Sequence, residues 1–209
     1  IGTGATINVT NGGSLLCGAS LSMSTSGGNT SLKVDGGSVS VPAGSVNLIL
    51  NVSSSGGATV TLTNGGTILI PSITGGGLRF GSGASTGYGV FNLDGGTLTT
   101  ARIFKNSGAT IHATNNFNGG ILKAVSGTAN GSILLTGLDC ANVRNGGAIV
   151  DPNGASVIIS QPLVHSSIGG DNATDGGLTV IGTGGTVTLT GANTYTGPTT
   201  INGSTLGII

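Results

Sequence analysis

Short stretches of strict alternation run along the chain. Val60 and Leu62 alternate with Thr59, Thr61 and Thr63, Ile68 and Ile70 follow, Phe91 and Leu93 repeat the pattern, and Val187 and Leu189 alternate with Thr186, Thr188 and Thr190. A period of two sends one set of side chains inward and the other outward. The outward set is Thr, Ser and Asn, and the branched Cβ of Thr favours extended backbone. The pattern predicts strands of four to six residues throughout. No apolar run approaches the length of about 18 residues that a membrane-spanning helix needs. The longest, 46–52, is broken by Asn47 and Asn51.

The strands are punctuated by one recurring tripeptide. Asn/Asp-Gly-Gly begins at Asn11, Asp35, Asn64, Asp94, Asn118, Asn145 and Asp175. It thus returns about every 24–30 residues, within the range of solenoid repeats. A degenerate copy, Asn202-Gly203-Ser204, follows at the same kind of interval. Two positions beyond the second glycine stand Leu15, Val39, Ile68, Leu98, Leu122 and Ile149, with Leu206 in the degenerate copy, whereas the Asp175 copy has Thr179 there. Asn-Gly and Asp-Gly suit a tight change of direction. An antiparallel sandwich or barrel accommodates short strands with Gly-rich turns. It gives no reason, however, to return to the same turn chemistry every three strands. A parallel β-solenoid does, because each coil bends at the same corner. The expected fold is therefore all-β: a single β-solenoid domain over residues 1–209, with roughly eight coils and a length of about 35–40 Å at the inter-strand spacing.

Composition agrees and narrows the function. Of 209 residues 43 are Gly, and there is no Trp. The charged residues are six Lys/Arg and six Asp, with no Glu, for a net charge of zero. So little Lys, Arg, Glu and Gln cannot furnish helix surfaces, and Gly inside a helix costs about 1 kcal/mol. Gly lacks the period of three of collagen. Scattered basic residues form no stripe for nucleic acid. The start at Ile1 rather than Met is expected of a processed protein or a piece of a longer one.

Residues 184–206, GGTVTLTGANTYTGPTTINGSTL, carry a more specific pattern. This stretch resembles the autotransporter-associated β-strand repeat of bacterial passenger domains and large surface proteins. Val187 and Leu189 match its strand. Gly191, Asn193, Thr194, Tyr195 and Gly197 match its central turn, and Thr199, Ile201 and Leu206 complete it. Ser204 stands where that pattern has Gly. The match covers about a ninth of the chain. It implies secretion, a right-handed parallel β-helix and a place on the bacterial surface or in the extracellular matrix.

The remaining residues offer little chemistry. Glycoside hydrolysis needs two carboxylates about 5–10 Å apart, and no Asp-Asp pair or Asn-Thr-Asp cluster occurs. The segment Asp171-Asn172-Ala173-Thr174-Asp175 reads as a solvated corner, with a calcium loop as its rival. His112, Asp139 and His165 lie close to one repeat apart, and would stack into an acid/base or metal ladder only if the coil length were constant. Phe80 with Phe104, and Phe91 with Phe117, are spaced for stacking between coils, in the core or as a carbohydrate platform. Threonines at 59–63, 97–100 and 186–190 would suit ice only as one flat array. Nucleophile-elbow, HExxH and P-loop motifs do not occur. Cys17 and Cys140 lie more than four coils apart, about 20 Å, too far for an internal bridge.

The expected protein is thus non-enzymatic and without cofactor: a rod, stalk or self-assembling fibre subunit. Its expected partners are copies of itself, stacked head to tail or by strand donation, with surface glycans second. The apolar start and the finish Leu206-Gly207-Ile208-Ile209 prompt that expectation. A carbohydrate-binding or polysaccharide-cleaving β-helix is the rival reading.

Overall fold

The computed structural model describes residues 1–2, 4–44, 46–53 and 55–209. The chain winds through three parallel sheets of seven, eight and eight strands, and every sheet takes its strands in chain order. The first sheet begins with Thr6–Thr10 and Thr30–Asp35 and runs to Val164–His165. The second runs from Ser14–Leu16 to Thr199–Asn202, and the third from Leu21–Ser22 to Thr205–Ile208. Each coil contributes one strand to each sheet. Seven coils do so, and an eighth supplies only the last two strands. It reaches the first sheet through a single parallel bridge, Val164 to Thr194. This is a β-solenoid, with no helix among the described residues and hence none long and apolar enough to cross a membrane.

Parallel register stacks like on like, and the core is a set of apolar columns. Val9, Val34, Leu62, Leu93, Phe117 and Val143 align in the first sheet. Leu21, Leu48, Leu78, Ile103, Leu135, Ile159, Leu189 and Ile208 align in the third. All the residues expected inward from the alternation at 60–70, 91–93 and 187–189 are buried. One column carries a polar intruder. Asn115 sits between Phe91 and Ala141, is wholly buried, and neither its amide oxygen nor its nitrogen has a partner.

The corner tripeptide behaves less uniformly than its spacing suggests. Asn11 and Asn64 are themselves left-handed, with φ of 52° and 50°. Each opens a turn closed by an N–H to C=O bond, Gly13 to Thr10 at 2.8 Å and Gly66 to Thr63 at 2.9 Å. Asp35 aligns instead with Thr10 and Thr63, and Asp94 with Thr63, one place earlier, as the last residue of its strand. The glycines then divide the work. In the fourth coil both have positive φ, and a Cβ on the second, Gly96, would run into the C=O of Gly66 in the coil below.

Two registers depart from the sequence reading. Val150, not Ile149, faces inward in line with Leu122, because the corner at Asn145, from Val143 to Val150, is two residues longer than that from Phe117 to Leu122. Asn202 ends a strand of the second sheet and turns toward the third, so it belongs to a different corner. In the eighth coil Gly197-Pro198 takes the place of the tripeptide: Pro198 C=O accepts the N–H of Leu178 at 3.0 Å, and Thr199 aligns with Leu178. Spacing alone cannot separate two corners of the same coil.

Candidate functional site

Polar side chains form ladders that run from coil to coil. On the outer face of the first sheet Thr61, Asn92, Asn116 and Asn142 share a column. Asn142 Nδ2 donates to Asn116 Oδ1 at 2.8 Å, Asn116 Nδ2 to Asn92 Oδ1 at 2.7 Å, and Asn92 Nδ2 to Thr61 Oγ1 at 3.2 Å. Each amide donates to one coil and can accept from the next, so the bonds run through four coils, from Asn142 to Thr61. Sequence reasoning missed this ladder. Its signal was present: Asn precedes the apolar residue that closes the strand in 91–93, 115–117 and 141–143.

All six aspartates reach into a neighbouring coil. Asp35 Oδ1 accepts from Asn64 at 2.6 Å and pairs with Lys33 in its own strand at 2.7 Å. Asp94 accepts from Asn118 at 3.1 Å and faces Arg144 at 3.7 Å. Asp139 takes the N–H of Ala113 at 2.6 Å and Lys105 Nζ at 2.9 Å, and Asp151 takes Lys123 at 2.8 Å. Arg144 forks onto Asp171, with Nε at 2.9 Å from Oδ2 and Nη2 at 2.9 Å from Oδ1. That fork holds the Asp171 carboxyl below its ordinary range.

Asp175 is the densest of these junctions. Its side chain is 1% exposed. Oδ1 accepts the N–H of Gly177 at 2.9 Å and of Gly197 at 2.8 Å. Oδ2 accepts the N–H of Thr196 at 2.8 Å, its hydroxyl at 3.1 Å, and lies 2.9 Å from His165 Nδ1. Burial alone raises the carboxyl pKa, but the donors from Thr196, His165, Gly197 and Gly177 outweigh it and hold the group at about 2. Asp175 thereby pins the turn at Tyr195 and Gly197. The other half of that turn is held by Asn193, which accepts the N–H of Leu163 at 2.9 Å and donates to Gly191 C=O at 2.8 Å. A Cβ on Gly191 would press against the backbone of Pro162, and Tyr195 Oη lies 2.7 Å from Thr199 Oγ1.

The rival readings of individual residues can now be compared with their positions. The ladder of His112, Asp139 and His165 does not form. Asp139 pairs in the sheet with Ala113, next to His112, while His165 aligns with Val143 and turns to Asp175. Asp171 and Asp175 point to different partners, which removes the calcium-loop geometry, and no metal-ligating group of three exists among the described residues. Phe80, Phe91 and Phe117 are wholly buried, so they form no carbohydrate platform. Phe104 aligns with Arg79, not Phe80, and is half-buried. The threonines of 59–63, 97–100 and 186–190 lie on three different sheets, not one flat face. Cys17 lies in the first coil and Cys140 in the sixth, both as free thiols. Burial pushes both thiols up.

Comparison with family models, with curated proteins and with solved structures finds no match.

Proposed function

We propose that this chain is a non-enzymatic structural β-solenoid, a rod, stalk or self-assembling fibre subunit of the bacterial surface or extracellular matrix. The observation that carries the reading is the use made of charge. Every aspartate bonds to an adjacent coil, so the acids staple the rod, and the two that share a cation, Asp94 and Asp171, are tied to Arg144. The resemblance of residues 184–206 to a repeat of bacterial passenger domains supports the compartment. The outermost strands of each sheet pair on one side only. Leu16, Ile201 and Ile208 are 78%, 53% and 73% exposed there. Such edges accept further strands of the same kind. Electron microscopy of the purified chain over a concentration range tests the proposal. Rods that lengthen with concentration are expected, and strictly monodisperse short rods would defeat self-assembly.

A further inference from the structure

Charge bookkeeping across the molecule leaves a remainder. Of the six cationic side chains, Lys33, Lys105, Lys123 and Arg144 each face a carboxylate. Arg79 and Arg102 face none among the described residues, and they lie together on the flank of the rod in its third and fourth coils. Arg79 aligns with Phe104, and the Arg102 guanidinium lies 3.9 Å over the Phe104 ring. The Nε atoms of both arginines are buried without a partner. Arg102 Nη2 donates to Gly75 C=O, and Arg79 Nη2 reaches Ser82 Oγ at 3.5 Å. Two like charges held side by side, partly desolvated and unneutralised, cost stability unless an anion joins them.

A cleft opens beside Arg102, with Arg79 outside its lining. It has a volume of about 300 Å³ and is lined by Ile73, Ala101, Arg102, Ser132 and Ile133 among others. Ile73 and Ile133 are 55% and 45% exposed, large apolar side chains left open to solvent beside the guanidinium. We propose that Arg102 and this cleft bind an acidic sugar residue, its carboxylate on the Arg102 guanidinium and its C–H face on the two isoleucines, with the charge of Arg79 adding from outside the cleft. A guanidinium presents a planar fork that matches a carboxylate. The Phe104 ring is covered by Arg102 and is not free to stack on a neutral sugar. Recognition here therefore runs through charge. The site lies mid-rod and is independent of any contact at the rod ends.

Titration with a galacturonate trisaccharide, followed by calorimetry and by amide shifts of Ser132 and Ile133, tests the proposal. The trisaccharide binds, binding weakens as salt rises, and its methyl ester does not bind. Arg102→Gln weakens it at least about tenfold, and Arg79→Gln, which removes only a nearby charge, about two- to fivefold. Ile133→Ser, which keeps both arginines, weakens the sugar about three- to tenfold and leaves inorganic sulfate unaffected. Absence of trisaccharide binding to the wild type, binding indifferent to both arginine variants, or sulfate bound as tightly as the sugar would each overturn it.

Discussion

Replacing Asp175 by Asn tests whether the acids act as staples between coils. The carboxylate receives three backbone N–H groups, one hydroxyl and the His165 ring, with its side chain 1% exposed. An amide keeps the shape but has one acceptor oxygen. If its NH₂ takes the place of Oδ1, the N–H groups of Gly177 and Gly197 lose their acceptor. If it takes the place of Oδ2, Thr196 and His165 do. Each stranded donor costs about 1–3 kcal/mol, so the variant with two of them should lose about 2–6 kcal/mol against denaturant. The pH dependence carries a second signature. The folded carboxyl titrates at about 2 against an ordinary value of 3.8. Its stabilisation is complete above the unfolded value and is lost as pH falls through the folded one. That amounts to about 2 kcal/mol between roughly pH 4 and pH 2. Asp175→Asn lacks this contribution, so its stability falls less steeply over that window. Hydrogen exchange should also show lost protection at the amides of Thr196 and Gly197, with the middle coils unchanged. Wild-type protection at both amides, together with an unchanged denaturation midpoint and pH slope, would refute the reasoning.

Other sites probe other links in the account. Gly65 and Gly96 both have positive φ, 72° and 88°, but a Cβ on Gly65 meets nothing within 4 Å while one on Gly96 strikes Gly66. Thermal or chemical unfolding should show a loss of about 1–2 kcal/mol for Gly65→Ala and more than about 3 kcal/mol for Gly96→Ala. Equal losses would remove the close approach of coils as a cause. Asn115→Leu should stabilise the protein by about 1–3 kcal/mol, because it removes an amide buried without partners. A destabilised variant would mean that the amide is satisfied. Arg144→Gln should cost about 1–3 kcal/mol and let the Asp171 carboxyl rise toward its ordinary value, followed by carbon-detected titration. No change in that titration would show the fork to be idle.

Much of the fold was legible in the residues, because a solenoid repeats its local rule. Alternation at 60–70 and 91–93 placed the inward side chains, and the recurring tripeptide marked a corner in most coils. What failed was register. A tripeptide says that the chain turns, but Asn11 turns at its own left-handed residue and Asp35 ends the strand before the glycines turn. Asn202 shared the composition of a corner and lay on another one. The candidate chemistry was less legible for the same reason. Side chains one nominal repeat apart are neighbours only if coil lengths agree, and they do not: Asp139 comes opposite Ala113, 26 residues back, whereas His165 comes opposite Val143, 22 residues back. The Arg79–Phe104 contact depends on a strand pairing that no repeated motif announces.

Under the proposed function, copies of this chain stack end to end and continue the solenoid along one axis. Mass per length, measured by dark-field electron microscopy on unstained filaments, tests it most directly. Eight coils at about 4.8 Å give a rise of about 38 Å. A 19.9 kDa subunit then contributes about 0.5 kDa per Å of filament at that spacing. End-to-end stacking gives that value in particles that lengthen with concentration. Particles that stay one subunit long at every concentration, or filaments of twice that mass per length, would contradict it.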